Sequence, residues 1–482
     1  MAPDQDTSER PSGIGPQTAA GRGGGHSAPE TEPQPKPGEI SVRRLSPQPQ
    51  RPVPTRERVS ALLALGSAAG ILVFLVSSVT PSGAPAGAAS FQATPSSRSV
   101  APGGRIVLSG TDAPPSTSMV LETRAKGNRW RVAARAPSDD GGEFRLEGRV
   151  VGRPGPVAVR ARAPGVAVAA PARVIVRPLR LASVGDINLG DIPGAAIAAN
   201  GPRWPWESAG KPLRAADLAF GNLESAVSKR GTPFPKQFNF RGTPAALAGL
   251  RRHSGIDVLN LANNHVGDYG QEAMLDTVRG VESLGMKAVG AGPDLRRALA
   301  PQVVERLGLR VAFVGFSSIY PIEFAAAEGS PGTAWATPES VASAVQAARR
   351  RSDIVVATFH WGIEKQTLET ADQRALAEVA VAAGAQLVIG AHPHSLQPVR
   401  RQGAALVAYS LGNFVFGAYS SDTSTTGILE VDLTAEGVTA ARWHAGRISG
   451  GRPELEASRP RRLPLGDELS MDTGVSLYGA LP

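Results

Sequence analysis

The chain has 482 residues, more than one hydrophobic core usually supports, so two or three folded units with unfolded ends are expected. It contains no cysteine, which excludes disulfides, thiolate metal sites and cysteine nucleophiles. The formal net charge is +9, but the basic residues are mostly scattered arginines without an RNA-binding aromatic motif or a recognition helix, which argues against a nucleic-acid partner. The charge fits an anionic ligand and a compositional bias toward arginine equally well.

The first 90 residues predict a membrane anchor. Residues 1–58 are rich in Pro, Gly, Ser, Gln and charged residues, and we expect them to be a disordered cytoplasmic tail. Residues 59–79 are uncharged and apolar, as long as the roughly 20 residues of a transmembrane helix. Arginines precede this stretch and no charged residue follows it until Arg98, so the N-terminus is predicted inside and the remainder outside. A cleaved secretory signal, which would release a secreted protein, is the alternative.

Residues 80–90 are predicted to be a linker, and residues 91–178 a small β-sandwich. Short alternating runs are separated by Gly- and Pro-containing turns about 8–12 residues apart, which is typical of an immunoglobulin-like module. The predicted strands are Arg105–Ser109, Met119–Thr123, Trp130–Ala134, Glu143–Leu146, Val157–Arg162 and Ala172–Val176. No cluster of acids, histidines or aromatic residues indicates a site there, so we expect the module to be a spacer.

Residues 179–448 alternate strand-like apolar runs with helical segments, which predicts an α/β layered domain. The predicted helices are Met274–Ser283, Pro338–Arg350 and Ala371–Ala383. Residues 449–482 are rich in Arg and Pro and are predicted to be a poorly ordered tail.

Polar side chains follow five predicted strands of this domain, where functional groups of open α/β sheets gather. They are Asp186 and Asn188, Asn222 and Glu224, Asn264 and His265, His360, and the pair His392 and His394. Imidazole nitrogens with carboxylate and amide oxygens are ligands for a divalent ion. Two imidazoles that flank one proline in an extended chain point to the same side, so His392 and His394 could face one metal.

Two-metal hydrolysis explains why so many ligands would converge. In that scheme the ligands are Asp186, Asn264, His360, His392, His394 and either Glu224 or Asn222. His265 is the candidate general acid or phosphoryl-oxygen contact, and Asp268 either orients His265 or caps the following helix. Candidate substrate-binding residues are Asn188, Lys236, Arg241 and Asn413, although a solvated charged loop is the favoured explanation of Lys236 and Arg241.

The segments GDINLG, FGNLES, LANNHVGDYG, FHWGIE, VIGAHPHSLQPV and AYSLGNFVF resemble the CapA family of poly-γ-glutamate capsule-synthesis proteins. Their order is also similar to that of the calcineurin-like metallophosphoesterases. The resemblance implies a four-layer sandwich of two sheets flanked by helices, and a divalent ion such as Mn, Zn, Fe or Mg. It further implies a role in making, exporting or anchoring poly-γ-glutamate, with that anionic polymer and membrane synthase components as partners.

Two positions depart from the phosphatase pattern. Asn188 stands where those enzymes have the His of GDxH, and Asn222 where they have the bridging Asp of GDxxD. An amide is a weaker ligand than a carboxylate. The sequence therefore leaves open a metal-dependent hydrolase and a non-catalytic protein that binds an anionic polymer within a membrane complex.

Overall fold

The computed structural model describes residues 91–465 and 476–477. The predicted cytoplasmic tail, membrane helix and linker lie outside these residues. Across the part of the chain that is described, no helix is both long and apolar enough to cross a bilayer.

Residues 91–178 form an all-β module. Its strands are β1 (Thr94–Pro95), β2 (Ser99–Val100), β3 (Arg105–Gly110), β4 (Ser118–Ala125), β5 (Arg131–Pro137), β6 (Phe144–Arg149), β7 (Gly155–Ala163), β8 (Ala167–Val168) and β9 (Ala172–Val176). One sheet has the order β1-β3-β6, and the other has the order β2-β9-β7-β4-β5 with β8 beside β7. The two sheets enclose one core that includes Leu108, Leu121, Leu146 and Val159. Each predicted strand overlaps an observed one, whereas the immunoglobulin type stays a prediction.

The rest of the described chain is mixed α/β, as predicted. Its strands are β10 (Leu179–Ile187), β11 (Leu218–Leu223), β12 (Ala226–Val227), β13 (Arg241–Gly242), β14 (Val258–Asn260), β15 (Lys287–Val289), β16 (Ala291–Gly292), β17 (Gln302–Arg306), β18 (Leu309–Ser317), β19 (Gly332–Thr333), β20 (Ile354–His360), β21 (Leu387–Ala391), β22 (Val399–Gln402), β23 (Ala405–Ala408), β24 (Asn413–Val415), β25 (Thr425–Thr434), β26 (Gly437–Ser449), β27 (Arg452–Leu455) and β28 (Arg461–Leu463). Its α-helices are α1 (Asp191–Asn200), α2 (Gly210–Ala215), α3 (Pro244–Ser254), α4 (Gly270–Ser283), α5 (Leu295–Ala298), α6 (Pro338–Arg349), α7 (Ala371–Ala382) and α8 (Ser421–Ser424).

Two large sheets organise this domain. The first has the order β15-β14-β11-β10-β25-β26-β27, with β24 beside β10 and β28 beside β26, and the second has the order β17-β18-β20-β21-β23-β22. Strands β10, β11, β14 and β15 run parallel, as do β18, β20, β21 and β23. Their carboxyl ends therefore meet at one edge of each sheet.

The core residues show a layered packing. One cluster joins residues of both sheets, such as Phe220 of β11 and Phe313 of β18, whose rings stack at 5.9 Å. A second cluster places the other face of the first sheet against α3 and α4, and a third places the second sheet against α6 and α7. The order is therefore helices, sheet, sheet, helices.

Local sequence signals define the helix starts. Thr337 and Thr370 precede α6 and α7, and each side chain accepts a hydrogen bond from the third backbone amide of its helix in a capping box. This explains why both helices were predictable from sequence. The hairpin of β25 and β26 was not predicted, because its first strand begins in a Ser- and Thr-rich segment that indicates a loop.

The prediction of a poorly ordered tail from residue 449 is wrong for residues 452–463. Strand β27 pairs with the end of β26, and β28 pairs with its middle, so both extend the first sheet. Leu463 is buried in the core between the two sheets, so the hydrophobic effect holds this part of the tail on the domain. Leu477 is buried in the same core, and the arginine and proline content of the tail gave no indication of either leucine.

The β-module contacts the α/β domain through two carboxylates, Asp217 and Asp353. Asp217 lies 2.7 Å from Arg177 of the module. Asp353, which precedes β20, lies 3.1 Å from Arg105 and 2.6 Å from Arg149 of the module. Backbone hydrogen bonds run alongside, from the amide of Ala101 to Leu307 and from that of Arg105 to Gly308. The module is thus fixed to the domain at the β17–β18 turn.

Candidate metal centre

The parallel register brings the predicted strand-end residues together. Asp186 on β10 is the direct neighbour of Asn222 on β11, which is in turn the neighbour of Asn260 on β14. On the second sheet, His360 of β20 lies beside Ala391, the last residue of β21. Because β21 ends there, His392 and His394 follow at the same edge. The two edges face each other and form a buried polar site.

Asp186 is fully buried and anchors the site. Its Oδ1 accepts a hydrogen bond from the Asn222 amide over 2.8 Å, and its Oδ2 accepts one from the backbone amide of His392 over 3.2 Å. His394 Nδ1 lies 3.3 Å from Oδ2, and His360 Nδ1 lies 3.9 Å from Oδ1. Burial raises the pKa of Asp186, but the bond with His394, that imidazole's charge and the other contacts outweigh it, so its pKa is lowered.

Glu224 is the other buried carboxylate, and its hydrogen bonding and its pKa differ from those of Asp186. Within the described residues, neither of its oxygens has a hydrogen-bond partner. Its Oε1 lies 3.4 Å from His360 Nε2 and 3.8 Å from the Nε2 atoms of both His265 and His394. Burial and the nearby Asp186 carboxylate raise the pKa of Glu224 well above its usual value. A buried carboxylate without donors is costly unless a cation joins it.

Two sets of side chains could each hold a metal ion. Asp186, Glu224 and His360 form one set, and Glu224, His392 and His394 form the other; within each set, one ligand atom per residue lies within 4.8 Å of the others. Glu224 belongs to both. The Nδ1 atom of His392 is also buried without a partner in the described chain. Oxygen and imidazole donors with unpaired atoms fit a divalent ion.

Asn222 and Asn264 have different positions relative to these sets. Asn264 Oδ1 lies 2.9 Å from His360 Nε2, so Asn264 borders the first set. Asn222 uses both ends of its amide: Nδ2 donates to Asp186, and Oδ1 accepts from Asn260 over 2.8 Å. Between the two predicted alternatives, Glu224 is therefore the residue with a free ligand atom. Burial lowers the pKa of His360 to about 3, so its imidazole is neutral, the form that binds metals.

The His-Pro-His segment does not have the predicted extended conformation. His392 has φ +97° and His394 has φ +54°, values that non-glycine residues rarely adopt. The segment instead bends directly after β21. His394 Nδ1 contacts Asn413 Oδ1 at 2.8 Å, which ties the turn to β24. Strain at both histidines places the two imidazoles 5.7 Å apart, centre to centre, on the site.

His265 borders the centre and carries a chain of polar partners. Its Nδ1 lies 2.8 Å from Asp268 Oδ2, and its ring stacks on Phe240 with centroids 4.1 Å apart. Asp268 also accepts a hydrogen bond from the backbone amide of Phe240. Helix α4 starts after Tyr269 without a side-chain cap, so the orienting alternative for Asp268 agrees with the geometry and the capping alternative does not.

The predicted substrate-binding residues separate into two groups. Lys236 is mostly buried, and its Nζ lies 2.6 Å from Asp268 Oδ1, so it supports the His265–Asp268 pair. Arg241 donates to the backbone carbonyls of Arg230 and Gly231 and covers the ring of Tyr269, so it holds its own loop together. Asn413 does lie at the site, where it contacts His394, and Asn188 directly follows β10. Asn188 accepts from the amide of Gly190, whereas its own Nδ2 is buried without a partner in the described chain.

A cavity of about 620 Å³ opens next to the centre. His265, His394 and Asn413 contribute to its wall, so it gives access to the proposed ligands. Several wall residues were not predicted: Asp191, Phe238, Phe240, Phe416 and Tyr419. Phe416 is the last residue of the AYSLGNFVF segment. Asp191 begins α1, and Phe238, Phe240 and Tyr419 lie in loops whose path depends on the tertiary fold.

The comparisons with known proteins agree with this geometry. A family described as "Bacterial capsule synthesis protein PGA_cap" matches residues 180–418, the span that carries every residue of the centre. The PGA biosynthesis protein CapA of Bacillus subtilis is 31% identical over 259 residues, covering 53% of this chain and 67% of the relative. The chain belongs to the CapA family. The family match excludes the β-module.

Two further similarities complete the comparison of this CapA-family chain. The capsule biosynthesis protein CapA of Bacillus anthracis is 27% identical, covering 61% of this chain and 74% of the relative. Among solved structures, the NAD nucleotidase of Haemophilus influenzae is 14% identical and covers 60% of each chain with a TM-score of 0.35. That score is too low to support an argument about function.

Proposed function

We propose that this chain is a membrane-anchored, extracytoplasmic protein of poly-γ-glutamate synthesis, export or anchoring, and that its buried centre is a divalent-metal hydrolase site. The role in poly-γ-glutamate synthesis is supported by the names of the CapA relatives. The anchor is supported by the uncharged stretch 59–79 and the arginines before it. Poly-γ-glutamate and membrane synthase components are the proposed partners.

One observation carries the metal site: Glu224 is buried among imidazoles, and no described residue donates a hydrogen bond to its carboxylate. Protein interiors rarely leave both oxygens of a carboxylate unpaired. Within the described residues, both carboxylate oxygens of Glu224 are unpaired, and Glu224 lies close to His360 and His394. A cation between these groups would satisfy the carboxylate and the imidazoles together. The layered order of helices and sheets supports a metallophosphoesterase-like fold around this centre.

The residues of the centre have two proposed roles: most are metal ligands, and one is a general acid. Asp186, Glu224 and His360 would hold one ion, and Glu224, His392 and His394 a second, with Asn264 beside the first. Bound divalent ions lower the pKa of water and neutralise the oxygens of an in-line displacement. His265 lies at the cavity wall, where it would protonate or contact an oxygen of the substrate. Asp268 fixes the ring orientation of His265 through Nδ1.

The first experiment measures metal content and turnover. Full-length protein in detergent would be loaded with manganese, analysed for bound metal, and assayed on a phosphodiester and on poly-γ-glutamate, with chain length followed by gel. The proposal expects bound metal and cleavage of one of the two substrates. Retained metal without cleavage of either would refute the hydrolase, and protein that takes up no metal would refute the centre.

The second candidate is a non-catalytic binding protein for an anionic polymer in a membrane synthase complex. Asn188 and Asn222 favour it, because each is an amide where metallophosphoesterases carry a stronger ligand. The same experiment separates the two: a metal-free, inactive protein that binds poly-γ-glutamate supports the binding role.

The anchor has its own test. Reporter domains fused before residue 59 and after residue 80 would be assayed for activity on each side of the membrane. We expect the first reporter to be active only inside the cell and the second only outside. A mature protein that begins after residue 80 would replace the anchor with a cleaved signal.

A further inference from the structure

The larger sheet of the β-module has one face in the module core, and its other face carries several exposed arginines. On β7, the side chains of Val157 and Val159 point into the module core, so Arg160 and Arg162 point outward by the two-residue period of a strand. The same alternation directs other arginines outward. We call Arg124, Arg135, Arg160, Arg162 and Arg173 the arginine face.

Strand register arranges the arginine face into rows. In one row, Ala158 of β7 stands between Arg173 of β9 and Arg124 of β4. In another, Val120 of β4 stands between Arg162 of β7 and Arg135 of β5. Adjacent strands are about 4.8 Å apart, so the two arginines of a row lie roughly 10 Å apart across a small side chain. The first row is a trough with a cationic wall on both sides, whereas Arg162 in the second row is paired with Glu122.

The first trough widens into a groove of about 760 Å³. Arg124, Lys126 and Arg173 contribute its charged wall, and Pro156 and Ala158 its floor. Its lining includes residues of three neighbouring strands, β9, β7 and β4.

The arginine face carries more positive than negative charge. Its one carboxylate, Glu122, is buried and bonded by Arg160 at 2.8 Å and Arg162 at 3.0 Å. Arg124, Arg135 and Arg173 are exposed and have no carboxylate partner in the part of the chain that the structure describes. The guanidinium of Arg124 lies 4.5 Å from the centre of the Trp130 ring, which restricts its motion.

We infer that the arginine face is a docking surface for an extended polycarboxylate, and that the β-module is a polymer-binding module rather than the spacer the sequence predicted. Guanidinium groups pair with carboxylates through two parallel hydrogen bonds, and several weak contacts on one chain add up to firm binding. The identity of the polymer as poly-γ-glutamate rests on the proposed function. The face itself is independent of the metal centre.

The experiment titrates poly-γ-glutamate into full-length protein in detergent at low and physiological salt. The test variant is Arg124→Glu/Arg173→Glu, which reverses both walls of the first trough. The matched control is Arg145→Glu/Arg153→Glu, because Arg145 lies on the other sheet, Arg153 lies in the β6–β7 turn, and both are exposed. We expect at least a tenfold loss of affinity in the test variant, less than a twofold loss in the control, and weaker wild-type binding at higher salt.

Three outcomes would overturn the inference. Wild-type protein that does not bind the polymer is one, and a test variant that binds as the wild type does is another. The third concerns anionic lipid. If the test variant loses affinity for soluble dihexanoylphosphatidylglycerol but keeps its affinity for the polymer, the face binds a membrane surface instead. Circular dichroism checks that the variants fold. Glu224→Gln should retain polymer binding, so failure of the metal proposal and failure of this one give different results.

Discussion

Glu224 Oε1 lies 3.4 Å from Nε2 of His360, and both side chains are fully buried. The two residues come from different sheets: Glu224 follows β11, and His360 ends β20. Their contact therefore exists only when the two sheets are packed together. This couples formation of the candidate centre to the packing of the whole α/β domain.

The first prediction concerns metal binding by Glu224. Glu224→Gln keeps the volume of the side chain but removes a ligand that both candidate ion sets share. Wild-type protein should gain several degrees of thermal midpoint with saturating manganese, because a ligand at about 100 times its Kd stabilises the native state by about 2.7 kcal/mol. The variant should lose most of that gain and unfold no earlier than the wild type without metal.

The control for this prediction is Glu328→Gln. Glu328 is exposed on a loop, so its variant should keep the full manganese response. An unchanged response in Glu224→Gln would remove Glu224 from the centre. Differential scanning fluorimetry with and without chelator measures all three proteins.

The second prediction separates His265 from the ligands. His265→Gln removes the imidazole beside the cavity but leaves Asp186, Glu224 and His360 in place. We expect the manganese response to persist, and any hydrolysis to fall by about 100-fold or more, the size typical of a lost general acid. His253→Gln, on α3, is the control. Full activity in the His265 variant would exclude a proton-transfer role.

The third prediction concerns Lys236, which is placed beside Asp268 rather than on a substrate path. Lys236→Met leaves the buried Asp268 carboxylate without its nearest cation, and we expect a loss of about 3 kcal/mol in the free energy of unfolding. Adding Asp268→Asn should recover part of that loss, because the unpaired charge is then removed. Urea unfolding of the two single variants and the double variant gives the coupling. Equal stability of wild type and Lys236→Met would contradict it, and Lys211→Met, at an exposed lysine, is the control.

The sequence was sufficient to predict which strands carry the polar residues, because each strand is an apolar run that ends in a polar side chain. It could not choose between Asn222 and Glu224. That choice depends on Asn260, which lies 38 residues further along the chain and occupies the Asn222 carbonyl oxygen. The arginine face could not be predicted from the sequence for the same reason. Arg124 and Arg173 share a row only through the register of β4, β7 and β9. Long-range register is not encoded in local periodicity.

The last prediction concerns the attachment of the β-module through Asp353. Burial disfavours ionisation of Asp353, but hydrogen bonds from Arg149 and from the amide of Arg310, with the charge of Arg105, outweigh it and lower its pKa. A lowered pKa means that the ionised carboxylate stabilises the folded state above the pKa of the unfolded chain, about 3.9. That contribution is lost as the pH falls through the folded value.

Asp353→Asn should therefore loosen the module at pH 7, by about 2 kcal/mol for the loss of charged hydrogen bonds. Hydrogen exchange at the amides of Ala101 and Arg105, which bond to Leu307 and Gly308, reports this contact directly. We expect both amides to exchange faster in the variant at pH 7, and the difference from wild type to shrink as the pH falls below about 3.9. Asp372→Asn, at an exposed position on α7, is the control and should leave both amides unchanged. Equal protection in wild type and Asp353→Asn at pH 7 would show that the backbone hydrogen bonds and apolar packing hold the module without the carboxylate.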